Sequence, residues 1–235
     1  MGDTERTASR TESRMSLLPA VEHETAPHPT HSIVWLHGLG ADGHDFAPIV
    51  PELVAPDWPA LRFVFPHAPV RPVTVNGGVA MRAWYDIKGL AIADRQDEEG
   101  IRTAVAAIEA LIAREHERGV PSGRIVLAGF SQGGAIALAA GLRHAEPLAG
   151  LVALSTYLPL AHALAAERSA ANAAVPIFQA HGTADPVVPL ALGSAARAAL
   201  AALGYAVDWH TYPMAHAVCP QEIADLRAWL GARLR

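Results

Sequence analysis

Short apolar runs alternate with longer amphipathic runs along most of the chain. Apolar runs bounded by Gly, Pro or polar clusters are typical of buried strands, and apolar residues three and four positions apart are typical of helices. The pattern predicts strands at Ser32–Leu36, Leu61–Phe65, Ile125–Phe130, Leu151–Ser155, Val175–His181 and Ala206–Tyr212. It predicts helices at Asp45–Leu53, Asp97–Arg118, from Gln132 onward, Pro189–Leu203 and Pro220–Leu234. This alternation indicates an α/β fold with a mostly parallel central sheet and helices on both faces.

Two stretches lack this pattern. Residues 1–30 mix charged residues with Thr, Ser and Pro, which predicts a flexible N-terminal extension before a single domain over residues 31–235. Met15 lies in this extension and is a candidate internal start site. The stretch Pro66–Gly89 is interrupted by Pro and Gly, and we expect a long loop there, of the kind that carries function.

Composition and charge exclude several classes of protein. The 235 residues carry a net charge of −5 without a basic run, which argues against a nucleic-acid partner. Cys219 is the single cysteine, so no disulfide forms within the chain, and we expect it to be a buried apolar group. No apolar run reaches the length of a membrane span or forms the core of a secretory signal. We therefore expect a cytoplasmic protein without a stable membrane anchor.

The histidines near the N-terminus do not change this picture. His23, His28 and His31 are irregularly spaced and lie beside prolines. Zinc ligands in proteins follow tighter spacings, so solvated side chains are favoured and no metal site is expected.

A G-x-S-x-G motif lies between the predicted strand Ile125–Phe130 and the helix that follows. Gly129, Ser131 and Gly133 match the strand–turn–helix elbow that exposes a nucleophilic serine. The two glycines are required because the strand and the helix pass so closely that a Cβ at either position would collide. Ser131 then lies at a helix N-terminus, where free N–H groups favour developing negative charge.

Suitable partners for the serine follow two later strands. Asp185 comes after the strand Val175–His181, and His216 comes after the last strand. The order Ser, Asp, His is that of α/β-hydrolases, and the short gaps leave no room for a large cap domain. In this arrangement His216 is the base that accepts the serine proton, and Asp185 fixes the tautomer of the histidine.

Another aspartate and another histidine could serve as the orienting carboxylate and the base, but both lie within a predicted strand. Asp208 competes with Asp185, and His210 competes with His216, but both fall inside the predicted strand Ala206–Tyr212. Working residues in open parallel sheets lie on loops at the carboxyl ends of strands, so Asp185 and His216 are preferred.

Acyl transfer also needs donors for an oxyanion. The backbone N–H of Gln132 follows the nucleophile, and Leu39, in the glycine-rich loop after the first predicted strand, is placed to supply the second donor. His37 in the same loop is interpreted as a structural residue that supports this loop.

These residues together resemble the phospholipase/carboxylesterase family of α/β-hydrolases. The resemblance is carried by the segments 37–43, 65–69, 82–86, 129–134 and 181–189 and by the stretch around His216. It implies an α/β-hydrolase fold without a large cap, a triad of Ser131, Asp185 and His216, and an oxyanion hole from Leu39 and Gln132. It also implies an apolar acyl groove bordered by the segment of Trp84, with Leu39 and Val188 as contributors, although a core position for Trp84 fits the sequence equally well. No metal or organic cofactor is implied, and a homodimer is compatible with the family.

Three hypotheses for function remain open at this point. The first is a serine carboxylesterase that hydrolyses short- to medium-chain esters through an acyl-serine intermediate. The second is an acyl-protein thioesterase or lysophospholipase, because all of these reactions use the same oxyanion chemistry. The third is a non-catalytic hydrolase-fold protein that binds a ligand. In each case the expected partner is a small-molecule ester or acyl compound.

Overall fold

A central sheet of seven strands organises the computed structural model, which describes residues 17–89 and 96–234. In chain order the strands are β1 (Ala20–Glu24), β2 (His31–Leu36), β3 (Leu61–Pro66), β4 (Val70–Val73), β5 (Val79–Arg82), β6 (Ile125–Phe130), β7 (Gly150–Leu154), β8 (Ile177–Gly182) and β9 (Val207–Tyr212). The order across the sheet is β1-β3-β2-β6-β7-β8-β9, and β4 and β5 form a separate hairpin. Every neighbouring pair in the large sheet is parallel except β1 and β3. The predicted α/β fold with a mostly parallel sheet is confirmed.

Helices cover both faces of this sheet. They are α1 (Val50–Leu53), α2 (Glu98–Glu117), α3 (Gln132–Gly141), α4 (Ala161–Glu167), α5 (Leu190–Ala202) and α6 (Pro220–Gly231). Alternate residues of β2 enter two different cores, with Val34 facing α2 and α3 and Trp35 facing α1 and α6. Because side chains alternate across a strand, a run that is apolar at every position is buried on both faces.

The N-terminal prediction was wrong for residues 20–24. These residues form β1, which pairs antiparallel with β3 at the sheet edge, and Arg62 of β3 forms an ion pair with Glu24 at 2.9 Å. The strand escaped the sequence pattern because an edge strand with a solvated face carries few apolar residues. Residues 1–16, including Met15, lie outside the described residues. His23 lies on β1, and the described residues hold no cluster of three potential metal ligands.

The stretch Pro66–Gly89 is also more regular than expected. It contains the β4–β5 hairpin, whose strands are joined by Thr74–Asn76 in a 3₁₀ turn and by Gly77, which has a φ of 66°. The predicted helix Asp45–Leu53 shortens to a 3₁₀ turn over Ala47–Ile49 and the single turn of α1, and α4 was not predicted.

The carboxyl ends of the parallel strands gather the candidate residues at one edge. Leu39 follows β2, Ser131 follows β6, Asp185 follows β8 and His216 follows β9. No helix in the described ranges is long and apolar enough to span a bilayer.

Candidate active site

Ser131 occupies a strained turn between β6 and α3. Its φ and ψ of 55° and −122° lie in a region that residues with a Cβ rarely adopt. A Cβ at Gly129 would lie 2.4 Å from the backbone of Gly133, and one at Gly133 would lie 2.2 Å from the carbonyl oxygen of Leu36. The predicted need for both glycines is confirmed, because either substitution would force strand and helix apart.

The backbone of the serine is held from both sides by the end of β7. The Ser131 N–H donates to the Leu154 carbonyl at 2.8 Å, and the Thr156 Oγ1 hydroxyl donates to the Ser131 carbonyl at 2.6 Å. Thr156 is fully buried. It was not predicted, although it follows a strand at the carboxyl edge, where sequence reasoning could have looked for it.

Asp185 and His216 meet next to this turn. The His216 Nδ1–H donates to Asp185 Oδ2 at 2.7 Å, while Asp185 Oδ1 accepts from the backbone N–H groups of Val187 and Val188 at 2.8 and 2.9 Å. These three bonds fix the carboxylate in one orientation. Since a carboxylate can only accept, the shared proton belongs to Nδ1, and Nε2 of the neutral ring keeps a free lone pair.

Ser131 and His216 both lie at the carboxyl edge of the sheet, but they are not hydrogen-bonded to each other in this structure. Within the described residues, Ser131 Oγ makes no hydrogen bond, and the His216 ring packs against Phe130, the residue before Ser131, with ring centroids 4.7 Å apart. Catalytic hydrogen bonds are commonly long in the unliganded state and tighten when substrate binds.

The rival pair is placed elsewhere. Asp208 and His210 are two residues apart on β9, and they pair with each other at 2.9 Å across the exposed side of the sheet edge. Neither residue lines the cavity at Ser131. Asp185 and His216 lie beside Ser131, whereas Asp208 and His210 lie away from it, so the first pair remains the preferred one.

His181 lies directly below the Asp185 loop. It is fully buried, its Nε2–H donates to the Val188 carbonyl at 2.8 Å, and the same nitrogen is 3.6 Å from Asp185 Oδ2. This histidine therefore ties the Val188 end of the loop to β8 and packs close to the carboxylate of Asp185.

Two backbone N–H groups are free at the site. Among the described residues, neither the Leu39 nor the Gln132 amide donates to any protein acceptor. The Gln132 amide belongs to the first turn of α3, where four N–H groups lack helical partners and the helix dipole favours an anion. An oxyanion at Ser131 would satisfy both donors.

The loop that carries Leu39 is tied to the elbow through buried polar groups. The Gln132 side chain accepts from the Trp84 N–H at 2.9 Å and donates to the Tyr85 carbonyl at 2.8 Å. The Trp84 indole donates to the His37 carbonyl at 2.9 Å. His37 donates from Nδ1 to the Gly38 carbonyl at 2.7 Å and accepts at Nε2 from the Ala68 N–H, while burial lowers its pKa and keeps it neutral.

The expected groove role of Trp84 is not what the structure shows. Its side chain is 1% exposed and does not line the cavity at Ser131, because its indole is used to hold the His37 carbonyl. Sequence reasoning could not distinguish a pocket-lining tryptophan from a buried one.

An acyl-sized cavity of about 230 Å³ opens at Ser131. Its walls are mainly apolar and come from the oxyanion loop, the hairpin region, the loop after β7 and the Asp185 loop: Leu39, Val75, Ile87, Tyr157, Val187 and Val188. The Tyr157 hydroxyl is hydrogen-bonded to the buried Tyr85 hydroxyl, and burial raises the pKa of Tyr157 to about 12. Both phenols are thus neutral, and no charged side chain lines the cavity in the described part of the chain.

A larger cavity of about 500 Å³ opens on the His216 side of Phe130. Phe46, Ile49 and Ile223 form apolar walls between helices α1 and α6. Cys219 also lines it and is half-buried against the core, so it is less buried than expected.

The sheet, the elbow and the residues at its carboxyl edge define an α/β-hydrolase. The model of the Phospholipase/Carboxylesterase family matches residues 18–233, and the chain belongs to this family. The resemblance inferred from the motifs is therefore confirmed, and the chain is a hydrolase that acts on ester bonds.

The similarity to individual relatives covers most of the chain. Acyl-protein thioesterase 1 of Neurospora crassa is 40% identical over 232 residues, which cover 93% of this chain and 91% of the relative. Acyl-protein thioesterase 1 of Mycosarcoma maydis is 41% identical over 217 residues, covering 86% of this chain and 90% of the relative. The crystal structure of Arabidopsis thaliana SOBER1 is 30% identical with a TM-score of 0.83, covering 87% of this chain and 99% of SOBER1.

Proposed function

We propose that this chain is a serine hydrolase that removes acyl groups from cysteine thiols of proteins. The observation that carries the proposal is the pair of cavities at the site, a smaller, more enclosed apolar one at Ser131 and a larger, more open one at His216. The first suits an acyl chain, and the second leaves space for a leaving group as large as a peptide. The names of the two fungal relatives support the same substrate class.

The proposed reaction begins with the serine hydroxyl. His216 Nε2 accepts the Ser131 proton as Oγ attacks the thioester carbonyl, and Asp185 stabilises the imidazolium through the Nδ1–H bond of 2.7 Å. The Leu39 and Gln132 N–H groups bind the oxyanion of the tetrahedral intermediate.

The second half returns the proton to the leaving group. As the C–S bond breaks, the His216 imidazolium protonates the departing thiolate, which leaves an acyl group on Ser131. A water molecule then attacks this acyl-serine with His216 again as base, and the product is a free carboxylic acid. The same steps hydrolyse an oxygen ester.

A carboxylesterase for short- to medium-chain esters is the second candidate. The modest volume of the acyl cavity, about 230 Å³, favours it, because a cavity of this size limits the length of chain that it can bury. The two candidates differ in leaving group and chain length, while the roles of Ser131, Asp185 and His216 are the same.

One comparison of substrates tests the proposal. We expect kcat/KM for an S-octanoyl-cysteine peptide to equal or exceed that for p-nitrophenyl octanoate, although the nitrophenolate is the better leaving group. Ser131→Ala, with Ser122→Ala as a buried-serine control, is expected to abolish both activities and labelling by a fluorophosphonate. Turnover of the ester alone would favour the carboxylesterase, and activity retained by Ser131→Ala would contradict the assigned nucleophile.

A further inference from the structure

The cavity on the His216 side of Phe130 has a lining that bears on the chemistry of the leaving group. It is lined by His216 and Phe130, whereas the acyl cavity is lined by Ser131, so the two cavities open on different sides of the reacting atoms. We call it the leaving-side cavity and define it by Asp45, Phe46, Ile49, Glu52, Phe130 and His216.

Proton transfer determines which part of the substrate enters this cavity. The group that accepts the proton from His216 must lie within hydrogen-bond reach of its Nε2 atom. The acyl chain and the oxyanion occupy the side of Leu39 and Gln132. The leaving group therefore extends along His216 and past Phe130.

The charged side chains that line the leaving-side cavity are all acidic in the described residues. Asp45 and Glu52 contribute exposed carboxylates to its rim, and no Lys or Arg belongs to its lining in the described residues. Neither carboxylate forms an ion pair with another described residue. A cationic group bound here would not have to displace an existing partner.

The walls below this rim are apolar. Phe46 is buried, and it stacks on Trp35 at a centroid distance of 5.1 Å, which fixes the position of its ring. Lys and Arg side chains pack their methylene stems on apolar surface and keep the charged head at a polar rim. The combination of apolar wall and acidic rim therefore matches a basic side chain better than a neutral or acidic one.

We propose that the leaving-side cavity selects basic peptides, in which Lys or Arg lies next to the acylated cysteine. This inference rests on the proposed function and specifies its leaving group. A volume of about 500 Å³, roughly twice that of the acyl cavity, suits a peptide segment better than a small cationic alcohol.

The experiment uses two pairs of peptides with the same octanoyl group. One pair carries the acyl group on cysteine and the other on serine, and each pair has either Lys or Glu on both sides of the acylated residue. An octanoylcholine ester and its neutral 3,3-dimethylbutyl analogue form a third pair. The readout within each pair is a ratio of kcat/KM, the Lys peptide over the Glu peptide or the choline ester over its neutral analogue. General damage to the triad lowers both members of a pair equally and leaves this ratio unchanged.

We expect wild-type protein to favour the Lys peptides about tenfold, since two exposed ion pairs each contribute a factor of about three. The preference should decrease as ionic strength increases because exposed charges are screened. Asp45→Asn combined with Glu52→Gln should bring the ratio close to one. Glu117→Gln is the matched control, because this exposed glutamate ends α2 shortly before β6 begins and so lies at the opposite edge of the sheet.

The possible outcomes separate this inference from the proposed function. Cleavage of cysteine peptides without a charge preference, or a preference that survives the double substitution, would overturn the basic leaving group and leave the thioesterase function intact. A Lys preference on serine peptides without cleavage of cysteine peptides would support the leaving-side cavity and contradict the thioesterase. A preference seen only with the choline pair would overturn the peptide in favour of a small cation.

Discussion

The Thr156 hydroxyl holds the carbonyl of Ser131 at 2.6 Å, which attaches the candidate nucleophile to the strand beside it. The bond runs from the loop after β7 to the turn after β6, and both groups are buried. The turn is strained, with a φ of 55°, and a strained backbone persists only when its surroundings hold it. The hydrogen bond from Thr156 therefore helps to keep Ser131 in this conformation.

Replacing Thr156 by Val should therefore impair the reaction more than the fold. Valine keeps the shape of the side chain but removes the donor, and a lost buried hydrogen bond costs about 1–3 kcal/mol. We expect kcat to fall about tenfold or more with little change in KM, because the turn and not the acyl cavity is disturbed. Thr156→Ser keeps the hydroxyl and should restore most of kcat, and equal activity of both variants would refute this positioning role.

Asp185→Asn should reverse the tautomer of His216. The Asn carbonyl oxygen can still accept from the amides of Val187 and Val188, which turns its NH₂ group toward His216 Nδ1. The ring must then carry its proton on Nε2 and can no longer accept one from Ser131. We expect kcat/KM to fall by about 10²–10⁴-fold.

Asp208→Asn is the matched control for this change, because Asp208 also pairs with a histidine, at 2.9 Å, but on the exposed β9 edge. It should retain nearly full activity. A comparable loss in the two variants would mean that Asp185 has no special role.

Gly133→Ala should prevent correct assembly of the elbow. The new Cβ would lie 2.2 Å from the Leu36 carbonyl oxygen and 2.6 Å from that of His37, and both are backbone atoms that cannot move aside independently. We expect a loss of about 3 kcal/mol or more in the free energy of unfolding, measured by urea denaturation. At Gly123 the nearest atom to a new Cβ is 3.9 Å away, so Gly123→Ala should change stability by less than about 0.5 kcal/mol.

Ile87 offers a way to change acyl-chain preference without altering the triad. It lines the acyl cavity and is half-buried, so Ile87→Ala should enlarge the cavity and Ile87→Phe should reduce it. Each additional buried methylene is worth about 0.8 kcal/mol, or about fourfold in kcat/KM. Assays with p-nitrophenyl esters from acetate to palmitate should show the optimum shifting to longer chains in the first variant and to shorter chains in the second. An unchanged optimum in both would show that this wall does not limit the chain.

Glu222 should make the fold less stable as pH rises. Its side chain is buried, and this burial raises its pKa to about 8 from 4.5 despite a smaller, opposing effect of the Cys219 backbone. Below pH 4.5 both folded and unfolded chains hold the proton, so there is no penalty. Between pH 4.5 and 8 only the unfolded chain releases it, and stability falls by up to about 1.4 kcal/mol per pH unit.

Glu222→Gln should remove this loss. Urea midpoints measured at several pH values between 5 and 8 should show the variant gaining stability relative to wild type as pH rises. The exposed Glu117→Gln should follow the wild-type curve. Parallel curves for wild type and Glu222→Gln would mean that the carboxyl group of Glu222 is ionised without penalty in the folded protein.

The sequence predicted those parts of the molecule that a local pattern determines. Strands buried on both faces are continuous apolar runs, as in Ile125–Phe130, and the elbow is recognisable because two of its positions exclude a Cβ. Asp185 and His216 could be placed because loops after parallel strands converge at one edge.

Other features depend on contacts that no local pattern reveals. The edge strand β1 and the hairpin β4–β5 have solvated faces, so their hydrophobic signal is weak. Trp84 faces the His37 carbonyl and not the acyl cavity, and only its hydrogen-bond partner distinguishes the two roles. Thr156 and Tyr157 follow β7 without a motif, and the sequence alone does not show which groups they meet.

The β4–β5 hairpin and the segment after it border the acyl cavity but do not belong to the central sheet. The nucleophile, by contrast, is anchored to β7 from within the sheet. The segments that border the acyl chain thus lie outside the sheet that holds the reacting serine. Insertions or exchanges in the hairpin can diversify the accepted acyl chains over evolutionary time, or in directed libraries, while the reaction centre stays unchanged.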